Sequence, residues 1–231
     1  MAPADAYWAA FFGCPAETMF AEPARVIEHS PALAEYSGII AFFCEGRALI
    51  SIPSACPEEI CSRLVAAAES PATFADAFAA EGLSVVGPAF IGYGEEIPAP
   101  EKQVRLLTAE DRQAWSDLRA SCSPIEWEHG GSELAATGAA GAFVDGKLAA
   151  LAGYENWGDA LAHLSVVTHP DFRGQGYGAA VVALSAQTAL SVDLLPQYRT
   201  LEANVPSMRI AEKLGFERYA TSVAVRLPRT A

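Results

Sequence analysis

A glycine-rich segment, Arg173–Gly178, joins a strand-like run to a helix-like run. The first turn of a helix has unpaired backbone N–H groups and a partial positive charge, and both favour an anion. Glycines lack a Cβ, so a phosphate group can approach their backbone closely. Arg173 adds a formal charge with a fork of N–H donors. The segment therefore predicts a site for a phosphorylated ligand.

Two stretches resemble the motifs of the GNAT N-acetyltransferase superfamily. The first is Arg-x-x-Gly-x-Gly after a strand ending in Val-x-x-x-Pro, which here spans Val166–Gly178. The second is Asn204, then Ser207 three residues later, a short helix, and Leu-Gly-Phe ending at Phe216. The resemblance covers roughly residues 102–227 and leaves residues 1–100 outside it. It implies acetyl-CoA-dependent transfer of an acetyl group to an amine, directly within a ternary complex.

In that family the glycine loop grips the diphosphate of acetyl-CoA, and the preceding strand splays from its neighbour to pair with the pantetheine arm. The asparagine and the helix after it line the channel near the thiol. The resemblance therefore implies these acetyl-CoA-binding residues: Val166, Val167, Thr168, Arg173, Gly174, Gln175, Gly176, Tyr177, Gly178, Ala179, Asn204 and Ser207. A backbone N–H of Val166 or Val167 would polarise the thioester carbonyl.

The catalytic candidates are His163, Glu155 and Ser207. His163 lies on the strand that leads to the loop, and an imidazole titrates in the range that suits proton transfer. Many family members place a tyrosine, the usual general acid, where this chain has Ala211. The vacant position leaves Ser207, water or another group to protonate the leaving thiolate. It also motivates an alternative function, a non-catalytic CoA-binding or regulatory module.

The region between the early helices of this half usually borders the acceptor pocket in the family. It contains the acceptor-binding candidates Glu126, Trp127 and His129. A dinucleotide site competes for the loop, because Gly174-x-Gly176-x-x-Ala179 with a later acid also fits that pattern. Five residues separate the loop from its strand, and too little chain follows for a second nucleotide-binding half, so we prefer acetyl-CoA.

Composition places further limits on function. Of 231 residues, 52% are hydrophobic and the formal net charge is −13, which disfavours nucleic acid and tolerates a cationic amine. No apolar run approaches the length of a membrane helix, so we expect a cytoplasmic protein without a membrane partner. The cysteines lack zinc-ligand spacing, which predicts no metal site and free thiols at Cys14, Cys44, Cys56, Cys61 and Cys122.

The Pro-rich segment 95–102 predicts a linker or surface loop and two domains, 1–100 and 101–231. In the first, strands over 38–43 and 48–52 form a hairpin, helices cover 57–68 and 71–81, and a strand over 84–93 is interrupted at Gly87-Pro88. This α+β region has three candidate roles: a degenerate acyltransferase-like half, a substrate lid, or a unit that forms a homodimer.

The second region has the predicted order β-α-α-β-β-β-α-β-α-β. Its strands cover 104–107, 139–144, 147–157, 160–168, 200–203 and 216–227, and its helices cover 108–121, 124–134, 176–190 and 206–214. Asp145-Gly146 is a strong hairpin signal. Together with the resemblance, this order predicts an α/β (α+β) fold of the GNAT type. Its central sheet is mixed and mostly antiparallel, flanked by helices and preceded by a smaller α+β half.

Overall fold

The computed structural model describes residues 2–228. Its α-helices are α1 (Ala2–Phe12), α2 (Glu58–Cys61), α3 (Leu64–Ala67), α4 (Pro71–Ala79), α5 (Arg112–Ser121), α6 (Pro124–Gly130), α7 (Tyr177–Leu190) and α8 (Val205–Lys213). Its strands are β1 (Ala24–Glu28), β2 (Ile39–Cys44), β3 (Arg47–Ile52), β4 (Ser84–Tyr93), β5 (Arg105–Leu106), β6 (Ala140–Val144), β7 (Lys147–Trp157), β8 (Leu161–Thr168), β9 (Leu195–Leu201) and β10 (Glu217–Arg226).

The described chain forms two compact units. The first holds residues 2–91, 200–204 and 218–228, and the second holds Gly92–Arg199 and Val205–Glu217. The polypeptide therefore returns to the first unit near its C-terminal end. The division into domains 1–100 and 101–231 stays a prediction.

In the first unit, β2 pairs antiparallel with both β3 and β10, and β1 pairs parallel with β3. The predicted β2–β3 hairpin is confirmed, because Cys44 faces Arg47 across a turn in which Glu45 and Gly46 both have positive φ. Helices α3 and α4 bury Leu64, Phe74 and Phe78 against the sheet residues of the same cluster. Apolar burial of this kind is the main force that holds such a layer together.

Two predictions for the first unit need correction. The helix predicted over 57–68 is two short helices, α2 and α3. The strand predicted to break at Gly87-Pro88 is continuous through both residues. A Cβ at Gly87 would lie 2.6 Å from the backbone oxygen of Ser222, so the glycine permits a close approach to β10 where a side chain would collide.

No helix or strand was predicted before residue 38, yet α1 and β1 lie there. Helix α1 buries Trp8 and Phe12, each only 2% exposed, against Phe42 of β2. The apolar residues of α1 do not repeat with a clear helical period, so pattern alone did not reveal it. Strand β1 consists of five half-exposed or exposed residues and offers no alternation.

In the second unit, β5, β6, β7 and β8 pair antiparallel in chain order, and β8 pairs parallel with β9. The hairpin at Asp145-Gly146 is confirmed, again with positive φ at both residues. Helix α7 packs on β7 and β8, and its buried side chains are mostly alanine. Small side chains let the helix lie close to the sheet and position its first turn directly after β8.

The strand predicted over 200–203 begins earlier, at Leu195, and includes Pro196. Within this strand the carbonyl of Pro196 accepts a hydrogen bond from the N–H of Gly94 at 3.1 Å. Helix α6 ends at Gly130 instead of residue 134. A Cβ at Gly130 would lie 2.4 Å from the oxygen of Val166, so the helix stops where it meets β8. The predicted fold class, mixed α+β with mainly antiparallel strands and flanking helices, is confirmed.

Cys56 and Cys61 are joined by a disulfide, so the expectation of five free thiols is wrong for this pair. Cys14, Cys44 and Cys122 are free. Within residues 2–228 no helix combines the length and the apolar composition that a membrane span needs. The cytoplasmic location stays a prediction.

Candidate active site

The glycine loop lies between the end of β8 and the start of α7. A short 3₁₀ turn, Pro170–Phe172, leads into it, and Gly176 is the residue that caps α7. Gly174 and Gly176 have φ of +72° and +87°, a left-handed conformation that side chains disfavour. A Cβ at Gly174 would meet no atom within 4 Å, so the loop is open on that side. The backbone N–H groups of the first turn of α7 are thus accessible to an anion.

Strands β8 and β9 separate after a short ladder. The ladder has three residue pairs, from Leu161↔Leu195 to His163↔Gln197, although both strands continue for several residues. Beyond the last pair the two strands form a fork. Among residues 2–228, the backbone edge of β8 that faces β9 has no ladder partner there, so it can pair with an extended ligand.

Alternation along β8 shows which residues face the fork. Ala160 accepts from the N–H of Leu195 on the β9 side, and His169 donates to Ala149 on the β7 side. Successive residues point their backbone groups to opposite sides, so even-numbered residues of β8 face β9. The N–H of Val166 therefore points into the fork, and that of Val167 points toward β7. Of the two predicted carbonyl-polarising groups, the structure favours Val166.

Gly178 brings three elements into contact at the base of the loop. A Cβ there would lie 3.0 Å from Thr168 Oγ1 and 3.2 Å from Ile210 Cδ1. Helix α7 can therefore pack closely on the end of β8 and on α8 only because position 178 has no side chain. Ala179 follows in the same turn and is 7% exposed.

The side chain of Arg173, the first residue of the loop, is held in place by hydrogen bonds. Its Nη2 donates to Glu126 Oε1 at 2.7 Å, and its Nε donates to the oxygen of Thr168 at 3.2 Å. Glu126 also accepts from the backbone N–H and the hydroxyl of Ser123, which caps α6. These hydrogen bonds, Ser123 first and Arg173 after it, lower the pKa of Glu126 below its usual value of 4.5. The predicted acceptor-binding carboxylate thus ties α6 to the loop.

The Pro-rich segment crosses the groove between α7 and α8, and we call residues 97–102 the strap. The amide of Gln187 on α7 donates to two strap carbonyls at 3.1 and 3.2 Å. Lys213 on α8 pairs with Glu101 at 2.5 Å. A small pocket lies under the strap, lined by Pro98, Ala99, Pro100, Glu101, Gly176, Ala179, Ala180, Ala183, Lys213 and Leu214.

The strap also brings a second cation to the glycine loop. The Nζ of Lys102 lies 4.8 Å from the ring centroid of Tyr177, the first residue of α7. Its Cε would be 3.4 Å from a Cβ at Gly176. In the part of the chain that the structure describes, Lys102 has no carboxylate partner, so its charge is available at the helix N-terminus.

Comparison with known families decides what this arrangement is. The model of the acetyltransferase (GNAT) family matches residues 102–216. These residues are a GNAT acetyltransferase domain. The chain is therefore an acyltransferase, and its family carries out acetyl transfer.

Solved structures agree on the fold. An acetyltransferase of the GNAT family from Colwellia psychrerythraea is 14% identical, with 97% of this chain and 94% of that chain covered at a TM-score of 0.54. A GCN5-related N-acetyltransferase from Sphaerobacter thermophilus is 12% identical, with 70% and 58% covered at 0.50. Comparison with curated proteins gives no match.

The GNAT domain keeps a pair of hydroxyls beside the position of the missing tyrosine. Ala211 is 1% exposed on α8, one turn after Ser207. Ser207 Oγ lies 2.9 Å from the hydroxyl of Tyr198 on β9. Burial raises the pKa of Tyr198 to about 12, so this hydroxyl keeps its proton at neutral pH. Two protonated hydroxyls therefore lie between β9 and α8.

His163 occupies the last rung of the β8–β9 ladder. Its Nδ1 lies 2.9 Å from Gln197 Oε1, and its ring stacks on Trp157 with centroids 4.1 Å apart. Burial is the main cause that lowers the pKa of His163 below 6.5. The imidazole is therefore neutral at neutral pH, in the form that accepts a proton. Glu155, the other predicted base, faces His163 across the β7–β8 ladder and is exposed.

The remaining predicted residues have separate surroundings. Trp127 packs edge-on against Trp115 at 5.5 Å and belongs to a hydrophobic cluster under α5. His129 is exposed near the end of α6. Gln175 donates to the oxygen of Asp171 and so braces the loop from within.

Sequence reasoning missed Lys102, Tyr198, Gln197 and Tyr93 as neighbours of the candidate site. Lys102 lies in a segment that composition marks only as a linker, more than seventy residues before the loop. Gln197 lies in a stretch that the pattern did not predict as a strand. No local signal identifies these residues, because strand pairing and the path of the strap bring them together from distant parts of the chain.

Proposed function

We propose that this GNAT domain is an acetyl-CoA-dependent N-acetyltransferase that moves the acetyl group directly to an amine. The main observation that supports this proposal is the fork between β8 and β9. It offers the unpaired backbone edge at Val166 for an extended arm. Beyond the end of β8 lies a helix N-terminus that suits phosphates. A ligand with both an amide-rich arm and a diphosphate fits that succession.

The residues present fit acetyl-CoA. Gly174 and Gly176 leave room at the backbone, and a Cβ at either position would narrow that room. Arg173 and Lys102 supply positive charge on the two sides of the loop. Among the predicted cofactor residues, Val166, Thr168 and Gly178 border the fork and the packed base of the loop. Acetyl-CoA supplies the thioester whose acetyl group is transferred.

Three groups of the chain each perform one part of the proposed reaction. The N–H of Val166 donates to the carbonyl oxygen where negative charge develops. His163 accepts the proton that the amine loses when it attacks, because its imidazole is neutral. Ser207, next to Tyr198, donates a hydrogen bond to the departing sulfur. No covalent bond to the enzyme is required, so both substrates must be bound together.

The acceptor is an amine of a small molecule or of a protein. Glu155 is exposed beside His163 and can attract a protonated amine before it loses its proton. The formal net charge of −13 acts in the same direction. Glu126, Trp127 and His129 on α6 remain the proposed border of the acceptor pocket.

One observation favours a second candidate function. Ala211 is buried at the position where many family members have the tyrosine acid. If the hydroxyls of Ser207 and Tyr198 do not replace it, the domain binds acetyl-CoA without turning it over and acts as a regulatory module.

Turnover separates the two functions. The measurement is release of free CoA thiol from acetyl-CoA over a broad panel of small amines and lysine-containing peptides. The first proposal predicts thiol release that depends on an amine and falls by about 100-fold in His163→Asn, the usual contribution of a general base. Binding of acetyl-CoA without thiol release for any amine would support the regulatory module instead.

A further inference from the structure

A buried chain of hydrogen bonds ends at His163. Gln197 lies between two aromatic side chains: its Oε1 is 2.9 Å from His163 Nδ1, and its Nε2 donates to the hydroxyl of Tyr93 at 2.7 Å. Gln197 is fully buried, and Tyr93 is 1% exposed. In the structure the amide oxygen of Gln197 faces Nδ1 of His163 and its NH2 group faces the Tyr93 hydroxyl, so both ends of the buried amide have partners in this orientation.

The orientation of the amide determines which nitrogen of His163 carries the hydrogen. An amide oxygen only accepts hydrogen bonds, so Nδ1 of His163 must be the donor. In the neutral imidazole the other nitrogen, Nε2, then has a free lone pair. Nε2 of His163 has no hydrogen-bond partner within residues 2–228. It is also not one of the side-chain atoms in this range that are fully buried without a hydrogen-bond partner. Its lone pair is therefore open to solvent or to a bound molecule.

The position of this lone pair in the fold is specific. His163 and Gln197 are the last rung of the β8–β9 ladder, and the fork opens directly after them. Val166 follows three residues later, about 10 Å along the strand at the usual rise. Because Gln197 holds His163 at the last pair of the ladder, the proton acceptor lies at the closed end of the proposed acetyl-CoA channel.

We infer that Gln197 is a positioning residue for acetyl transfer: supported by Tyr93, it holds His163 in the Nδ1–H tautomer and so makes Nε2 the general base. The inference rests on the proposed function. In the step it describes, the N–H bond of the attacking amine breaks and an Nε2–H bond forms. The imidazolium that results returns its proton to solvent after the acetyl group is transferred.

Several groups around the ring act on this step. Burial and the charge of Arg199 oppose the imidazolium, and the hydrogen bond from Gln197 and the charge of Glu155 favour it. Trp157 covers one face of the ring. Tyr93 contacts Gln197 and not the imidazole ring in the hydrogen bond that supports this arrangement. Because burial dominates, Nε2 is unprotonated through the neutral range, and activity should fall only as the pH drops below 6.5, the ordinary value for histidine.

The first measurement is nitrogen-resolved NMR of the imidazoles in the ligand-free full chain, with His163 assigned from the spectrum of His163→Asn. We expect the Nδ1–H tautomer in the wild type and a mixture of tautomers in Tyr93→Phe, which leaves the Gln197 amide free to turn. An Nε2–H tautomer in the wild type would overturn the inference. This readout does not depend on turnover, so it remains informative if the proposed function fails.

The second measurement is the pH profile of kcat/KM for Gln197→Glu. A carboxylate beside Nδ1 stabilises the imidazolium, so the acid limb should move to higher pH by about one unit. Gln113→Glu, on the exposed face of α5, is the matched control and should leave the limb in place. An unmoved limb in a folded Gln197→Glu protein would contradict the positioning role. Loss of turnover in the wild type itself would instead count against the proposed function.

Discussion

At the scale of single residues, two cationic side chains lie at the glycine loop, and they differ in the contacts that they make. Arg173 is already engaged by Glu126 and by the backbone of Thr168, and Lys102 lies over the ring of Tyr177. An engaged guanidinium must leave its carboxylate, or share it, to contact a phosphate. Within residues 2–228, Lys102 has no carboxylate partner to leave. The structure therefore predicts that Lys102 contributes to phosphate binding at least as much as Arg173.

Replacing Lys102 with methionine tests this point, because methionine keeps the length of the side chain and removes the charge. Affinity for CoA should fall by about tenfold, since a charge-assisted contact contributes ~1.5 kcal/mol. Affinity for pantetheine, which has no phosphate, should stay unchanged. Lys147→Met in the exposed β6–β7 hairpin is the control. Equal losses of affinity for CoA and for pantetheine would show that Lys102 contributes through packing and not through its charge.

Some residues of the candidate site could be predicted from the sequence, and others could not. Motif spacing identified the loop and Ser207, because the glycines and the helix start are local features. It could not identify Lys102 or Gln197, because their roles depend on contacts with residues far away in the chain. The same limit applies to Glu126, whose place in the sequence did not show that it pairs with Arg173.

At the scale of elements, the site is a junction of β8, β9, α7 and α8. The fork exists because the β8–β9 ladder stops after three pairs, and the loop is open because Gly174 and Gly176 take left-handed conformations. Glycine is needed at position 176 both for its φ and for access to the first turn of α7.

Gly176→Val tests the junction. The substitution places a branched side chain at the helix N-terminus in an unfavourable conformation, so affinity for CoA should fall by more than tenfold. Gly146→Val in the β6–β7 turn is a matched control, because Gly146 has φ +79° and open space around it. Both variants should lose similar stability, roughly 1–2 kcal/mol. Weak CoA binding in both would show that strain, and not the loop, is responsible.

The predicted elements were most accurate where turns and helix starts are marked by local chemistry. Both hairpins have a two-residue turn ending in glycine, and α6 begins at the Ser123 cap. Strand β9 began too late in the prediction because Pro196 lies within it. Helix α1 was missed because apolar residues occur on all of its faces, so no amphipathic pattern marks the buried positions Ala4, Trp8 and Phe12.

At the scale of the whole molecule, the first compact unit includes residues from late in the chain. Strand β10 pairs with β2 from Thr221↔Phe43 to Val225↔Ile39, so the end of the chain completes the sheet of the first unit. Val223 and Val225 are fully buried there. The first unit therefore needs both ends of the polypeptide.

A fragment of residues 101–231 tests this dependence. Without β2, strand β10 would expose its buried valines and an unpaired backbone edge, which favours aggregation. We expect the fragment to be insoluble or to unfold without cooperativity, in contrast to the full chain. The measurement is thermal unfolding by circular dichroism with size-exclusion chromatography. A soluble fragment with acetyltransferase activity would show that residues 1–100 are dispensable, both as a structural partner and as an essential lid.

We propose that acetyl-CoA binds along the fork with its phosphates at the loop Arg173–Gly178. The most direct test is calorimetric titration of the full chain with acetyl-CoA, alongside Arg173→Ala and Gly176→Val. The structure predicts one site per chain, competition by CoA, and sharply weaker binding in both variants. No binding of acetyl-CoA or CoA to the wild type, or unchanged affinity in both variants, would contradict the claim.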